Sequence, residues 1–404
     1  MKVKNRGYKS NPPLPSDVFV PDGEARVFDN RLYVYGSMDK KGKKEYCSGE
    51  YHVFSTDDLI HWTDHGVSFS TEDVPWSHAN LYAPDCVYRN GKYYLYFCQA
   101  DETNGVAVSD TPYGPFKKAS YMENMHGIDP AVLVDDDGKA YIYWGQFDHV
   151  RAAELNDDMR SIRQETVIQP LSVKEHEFHE GASIRKRGEW YYLVFTDTHR
   201  YGDRPCCLGY AMSKNPFGPF LYKGIIIDNF GCDPKTWNNH GSIFEFKGQW
   251  YVLYHRSTHK GEFSRRMCIE PIYFHQDGTI SEVRMTSSLG EEPIHARTCI
   301  PADIACSLLG SVFIADQGEG MCLCNMKTGD SAVYRYLCFN DVNFVTIHAD
   351  RNDIVFNILI NGEKIAEVKS NQITPIDIPK NGSELTIQMK YSRFPVSVKD
   401  LEFQ

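Results

Sequence analysis

No stretch of this 404-residue chain approaches the ~20 consecutive apolar residues that cross a bilayer, and no basic run offsets a net charge of −11. The first lack argues against a helical membrane protein. The second argues against nucleic acid or an anionic membrane as partner. The start, Met1-Lys2-Val3-Lys4-Asn5-Arg6-Gly7-Tyr8-Lys9, has no apolar core of the kind a signal peptide needs. Zinc-type cysteine spacing is missing too: Cys206-Cys207 and Cys322-x-Cys324 are not paired in that way. Most of the twelve cysteines, among them Cys86, Cys98, Cys268 and Cys338, lie in strand-like apolar runs, where a thiol behaves as a small hydrophobe. Reduced thiols are therefore expected, which fits a cytoplasmic location.

What is present is a repeat. Val20-Pro21-Asp22-Gly23-Glu24-Ala25-Arg26-Val27-Phe28 runs into the aromatic strand Arg31-Leu32-Tyr33-Val34-Tyr35. The layout recurs as Ala83-Pro84-Asp85-Cys86 before Gly91-Lys92-Tyr93-Tyr94, and as Ile128-Asp129-Pro130 before Gly138-Lys139-Ala140-Tyr141. It returns as His179-Glu180-Gly181 before Gly188-Glu189-Trp190-Tyr191, and as Asn239-His240-Gly241 before Gly248-Gln249-Trp250-Tyr251. Five copies at a period of roughly 45–60 residues predict a five-bladed β-propeller, one copy per blade. If equivalent positions face one axis, Asp22, Asp85, Asp129, Glu180 and His240 converge there.

Each aromatic strand is followed by a second hairpin closed by Asp, Asn, Pro or Gly, so four strands per blade and almost no helix are expected. The fold class is all-β. The propeller domain is placed at residues 1–290 and a β-sandwich of jelly-roll type at 300–404. In the latter the Gly-Lys-Tyr-Tyr signature disappears and a hairpin is built around Asn361-Gly362. Two domains also suit the length of the chain.

The chemistry lies in the carboxylates. Cleaving a glycosidic bond takes one carboxylic acid to protonate the leaving oxygen and one carboxylate to activate water or attack. Taken singly, Asp129 before Pro130 could be a turn former, Glu180 a solvated loop residue, and His240 a hydrogen-bonded core histidine. Carboxylates at one register in different blades favour a catalytic reading for Asp22, Asp129 and Glu180.

Over about residues 11–285 the chain resembles glycoside hydrolase family 43. The resemblance rests on Asn11-Pro12, Pro21-Asp22-Gly23-Glu24, Tyr82-Ala83-Pro84-Asp85, Gly127-Ile128-Asp129-Pro130, Glu180-Gly181-Ala182-Ser183, Asn239-His240-Gly241-Ser242 and Arg265-Arg266, in that order. It implies an inverting mechanism, with Asp22 as base, Glu180 as acid, and Asp129 as an anion that keeps Glu180 protonated. It also implies that Tyr82, Asp85 and Arg266 contact the sugar. Arg265 competes for the arginine role, and strand alternation lets only one of the two point inward. His240 would meet a structural calcium at the axis, directly or through water, with no cofactor required for the chemistry. From about residue 300 the chain resembles a family 6 carbohydrate-binding module, on Asp330–Tyr336 and the Asn361-Gly362 hairpin. Tyr336, Tyr391 and Phe394 are the candidate sugar-stacking aromatics there, and packing against the propeller is the favoured role.

The insertions at 40–47, 71–80 and 200–205 could wall in a pocket, which favours exo action on oligosaccharides. The expectation is an α-L-arabinofuranosidase, ahead of a β-xylosidase, with galactan-directed activity third. A non-catalytic sugar-binding propeller is the alternative of a different class.

Overall fold

The computed structural model describes residues 6–404 apart from positions 291, 298, 319 and 380. Almost everything ordered is strand. The longest helical element among the described residues is the single turn Val173–His176, and no helix is long and apolar enough to cross a membrane. Five antiparallel sheets follow one another along the chain and form the blades of a β-propeller.

The first blade holds β1 (Glu24–Phe28), β2 (Arg31–Gly36), β3 (Glu50–Thr56) and β4 (Trp62–Ser70); the second holds β5 (Asp85–Arg89), β6 (Lys92–Cys98), β7 (Thr103–Ser109) and β8 (Lys117–His126). The third has three strands, β9 (Ala131–Val134), β10 (Ala140–Trp144) and β11 (Arg151–Glu154). The fourth returns to four, β12 (Phe178–Arg187), β13 (Trp190–Asp197), β14 (Cys207–Ser213) and β15 (Leu221–Asp228). The fifth again has three, β16 (Ser242–Phe246), β17 (Gln249–Thr258) and β18 (Gly261–Pro271). Four strands in every blade was thus too regular an expectation. In the third blade the outer position is an irregular segment with only the bridges Ala152–Ile168 and Leu155–Ile162, because a 3-10 turn at Gln164–Thr166 interrupts it. In the fifth, Pro271 ends the strand and a turn around Asp277-Gly278 leaves the single bridge Phe274–Ile280.

The aromatic strands are the middle of each blade. Tyr35, Tyr96, Tyr143, Tyr192 and Tyr254 all lie there with almost no exposure, packing one blade against the next. The ring closes between the first and last blades. Ser242 Oγ donates to Gly23 O and accepts from Ala25 N, each at 3.1 Å. Asn11, fully buried, clips the N-terminal segment onto β18. Its amide donates to Ile269 O and Glu270 Oε1, each at 2.8 Å, and its oxygen accepts from Ile269 N at 3.0 Å.

Below the inner strand ends the axis is filled by alternating charges. Arg26 donates to both oxygens of Asp85, at 2.9 and 2.5 Å, and to Val132 O at 2.7 Å. Arg185 meets Glu24 at 2.5 Å and Ala25 O at 2.9 Å. Four blades are tied together at this level.

From Ile294 onward the strands form a separate pair of sheets, beside a two-stranded parallel ladder of Ile294–His295 with Leu337–Cys338. One runs Phe313–Asp316, Met321–Met326, Val396–Phe403, Phe344–Ala349 and Thr374–Pro375, with Ile300–Pro301 added alongside. The other runs Ser307–Leu309, Ser331–Arg335, Glu384–Tyr391, Val355–Ile360 and Glu363–Lys369. Their alternating buried residues enclose one core, which Phe19 of the N-terminal segment enters. All twelve cysteines are free thiols, most of them buried.

Candidate active site

The mouth of the propeller holds a cavity of about 250 Å³. Asp22, Tyr46, Cys47, Tyr82, Asp129 and Gln146 line one part of its wall, and His179, Glu180, Trp237, Asn238, His240 and Arg265 another.

Three features of the backbone deliver the acids. Asp22 and Asp129 each lie two residues before their strands, β1 and β9, and both sit in the left-handed region, φ 56° and 61°. Such a conformation costs about 1–3 kcal/mol for a side-chain-bearing residue and concentrates at functional sites, although Asp is among the residues that tolerate it best. Glu180 lies within β12 at a double register shift, followed by Gly181 at φ 69°. A Cβ on Gly181 would stand 3.0 Å from the His240 ring, so glycine lets the bulge lie flat on the imidazole.

Asp22 is buried. Its Oδ1 accepts from Arg265 Nη1 at 2.8 Å and faces His255 Nδ1 at 3.7 Å and His240 Nδ1 at 3.8 Å. Burial alone would raise its pKa, but Arg265, with His240, outweighs that and holds the carboxyl below its ordinary value. Arg265 is itself gripped by Asp39, Nε to Oδ2 and Nη2 to Oδ1 at 2.9 Å each, so its third nitrogen is aimed at Asp22. His255 donates through Nε2 to Asn238, and burial pushes it down to about 3, so it is neutral beside Asp22.

Asp129 behaves oppositely. Burial pushes its carboxyl up to about 8; His240 pulls it down, while the charges of Glu180 and Asp22 add to the rise. Its Oδ2 accepts from Gly181 N at 3.2 Å, and its own N–H is turned to Cys98 Sγ at 3.1 Å. Burial therefore works against a negative charge on Asp129, the charge that the family resemblance implies for it. Burial works against charge on His240 as well, yet Asp129, Asp22 and Glu180 raise its pKa above the ordinary value.

The expected residues separate into two groups. Asp22, Tyr82, Asp129, Glu180 and His240 reach the cavity. Asp85 does not: it is wholly buried below the axis, its oxygens engaged by Arg26 and by the N–H groups of Cys86 and Val132. Arg266 does not either. It points out of the propeller, donating to Asp303 Oδ2 at 3.0 Å, and Arg265 is the arginine of the cavity. Nor do these side chains suit a directly bound calcium. No group of three or more His, Cys, Asp or Glu among the described residues is arranged around a common point, and guanidinium groups occupy the axis beneath. Arg265, Asp39, Cys47, Gln146, Trp237 and His255 were not singled out as site residues beforehand, apart from the alternation that made Arg265 a competitor. They lie in connections or mid-strand, outside the repeat.

Comparison with known proteins agrees in one direction. Residues 11–280 match the profile described as Glycosyl hydrolases family 43. A "Xylosidase/arabinosidase" of Thermoclostridium stercorarium is 36% identical over 351 residues, covering 75% of this chain and 72% of the relative. The crystal structure of a GH43 β-xylosidase/α-arabinofuranosidase from a compost microbial metagenome, complexed with xylotriose, superposes with TM-score 0.61 at 31% identity, covering 70% of this chain and 99% of that one. An arabinoxylan arabinofuranohydrolase structure from Bacillus subtilis, 21% identical, extends the likeness in fold to 100% of this chain and 98% of its own, with TM-score 0.60.

Proposed function

Because the chain belongs to glycosyl hydrolases family 43 and is a glycoside hydrolase, we propose that it removes single α-L-arabinofuranosyl residues from the ends or branches of plant-derived oligosaccharides, with inversion at the anomeric carbon. Family 43 chemistry needs no cofactor. The carrying observation is the contrast between two carboxyls of one cavity: Arg265 holds Asp22 below its ordinary value, while burial pushes Asp129 up to about 8.

Asp22 is the base. It takes a proton from a water molecule as that water's oxygen bonds to the anomeric carbon. Glu180 is the acid, and its proton passes to the leaving oxygen as the old C–O bond breaks. Asp129 holds the acid in place: its Oδ2 accepts from the N–H of Gly181, the residue after Glu180, at 3.2 Å. His240 is stacked under Gly181, and Asp129, Asp22 and Glu180 raise its pKa against the effect of burial.

Exo action is supported by the cavity's size, about 250 Å³ above a filled axis, which suits one terminal sugar and not a chain passing through. Tyr82 and Trp237, the latter 40% exposed at the rim, offer flat faces for the sugar and for what it leaves behind. A β-xylosidase is the second reading, favoured by the xylotriose bound in the related structure. We assign the sandwich a buttressing role: Asp303 and Asp316 hold propeller side chains, while Tyr391 and Phe394 are exposed and Tyr336 is half-buried next to Ile294.

Initial rates on p-nitrophenyl α-L-arabinofuranoside, β-D-xyloside and β-D-galactoside distinguish the substrates. Proton NMR of the first-formed sugar should show the inverted anomer, and retention would overturn the assignment of Asp22 as base.

A further inference from the structure

Glu180 has one side-chain hydrogen-bond partner in the cavity that no motif announced. Gln146 Nε2 lies 2.6 Å from Glu180 Oε2. The connection that carries Gln146 is built to hold it there. Gly145 leaves β10 at φ 103°, and a Cβ at this position would strike His149 O at 2.6 Å, so the turn accepts only glycine. Gly145 N donates to Ile128 O at 2.7 Å, next to Asp129. The chain then makes the one-turn 3-10 helix Phe147–His149, closed by His149 N donating to Gln146 O at 2.9 Å. The Phe147 ring meets His179, the neighbour of Glu180, edge-on with centroids 4.7 Å apart. Asp148 Oδ1 accepts from Val173 N at 2.9 Å. Gln146 is thus fixed to the residue before Asp129 on one side and to the residue before Glu180 on the other.

We propose that Gln146 is the positioning residue of the general acid, an amide that serves both protonation states of Glu180 and steadies the charge that appears as its proton leaves. The inference rests on the reading of Glu180 as acid. A primary amide has a donor and an acceptor at nearly the same place. Before the proton moves, the amide N–H donates to Oε2, the oxygen that does not carry the proton. Afterwards its N–H faces a carboxylate, a charge-assisted bond stronger than the neutral one it replaces. The bond that strengthens belongs to the transition state, and such interactions accelerate the chemical step. The same contact leaves Oε1 as the oxygen that delivers the proton. A lysine here would hold Glu180 ionised, and a glutamate would repel the anion being formed; glutamine does neither.

The test compares Gln146→Met and Gln146→Glu with wild type and Glu180→Gln. Each is assayed on an unactivated disaccharide and on a 2,4-dinitrophenyl glycoside of the same sugar, whose leaving group needs little protonation. For Gln146→Met, kcat is expected to fall roughly 10–100-fold on the disaccharide, the scale of one hydrogen bond to a charged group, and only about two-fold on the dinitrophenyl substrate. Losing the donor disfavours the Glu180 carboxylate, so the alkaline limb of kcat/KM should move to higher pH, and further in Gln146→Glu. Melting temperatures near wild type show that the fold is kept. Equal losses on both substrates, or an unmoved alkaline limb, would overturn the role of Gln146 while Glu180→Gln still discriminates between leaving groups. If Glu180→Gln fails to discriminate, the acid assignment falls and this inference with it.

Discussion

At the scale of single residues, the site is governed by which carboxyl is given a cation. Asp22 has Arg265 in contact, whereas Asp129 has only the Gly181 N–H and the more distant charge on His240. The consequence for stability has a definite sign. A carboxyl raised from its ordinary 3.8 to about 8 favours the fold at acid pH, and that contribution is lost as pH climbs from about 4 to 8. Asp22, being lowered, contributes in the opposite sense, and its contribution is lost only as pH falls below the ordinary carboxylate range. Asp129→Asn keeps a neutral acceptor for Gly181 N–H and abolishes the titration. Its melting temperature, followed from pH 4 to 8, should lack the alkaline decline of the wild type; an unchanged decline would mean Asp129 is already ionised at neutral pH. Before the structure, the repeat register was enough to bring Asp22, Asp129, Glu180 and His240 to one place. It misassigned Asp85, because a register position says where an inner strand begins and not how far down the axis a side chain hangs. Arg26, two residues into β1, takes Asp85 out of the cavity, and no pattern in the chain pairs those two. Alternation likewise made Arg265 and Arg266 exclusive without saying which faces in. That choice is made by Asp39 on one side and Asp303 on the other, both distant in sequence.

At the scale of elements, the propeller is closed by a side chain in place of an extra strand. Asn11 acts as one more rung for β18, giving and taking hydrogen bonds where a neighbouring strand would. Asn11→Ala leaves Ile269 N–H buried without its acceptor and should cost about 2–3 kcal/mol. Urea unfolding would register this as a lower midpoint with an unchanged slope, whereas a midpoint within experimental error of wild type would show that closure lies elsewhere. The Asn11-Pro12 pair was visible as a motif, but its purpose was not, since its partners lie some 258 residues along the chain. The aromatic strands were legible for a simpler reason: their period of two and their Gly turns are local properties. The missing outer strands of the third and fifth blades were not, because a hairpin-like turn does not reveal whether the segment after it pairs.

At the scale of the whole molecule, the sandwich grips the two connections that form one wall of the cavity. Asp316 Oδ2 meets Lys41 Nζ and His259 Nε2, each at 2.8 Å, and His259 N donates to Ile314 O at 2.6 Å. Lys41 is on the connection that carries Tyr46 and Cys47. His259 turns the hairpin that carries Arg265, and the Arg265 guanidinium lies over the Tyr46 ring, 4.9 Å from its centroid. Asp316→Ala should loosen both at once, raising KM about two- to five-fold with a smaller change in kcat, since single exposed ion pairs are worth at most about 1 kcal/mol. Steady-state kinetics would decide, and a fall in kcat with KM unchanged would refute the wall-holding role.

The plug of Arg26, Asp85, Arg185 and Glu24 has a kinetic corollary. With the far end of the axis shut, the cavity is a dead end: whatever enters must leave by the door it came through. Under the proposed exo action, the rest of the substrate stands in that door and departs first, and the freed monosaccharide, lying deeper, departs second. Release is then ordered, and the monosaccharide that accumulates returns to the very place the next substrate needs.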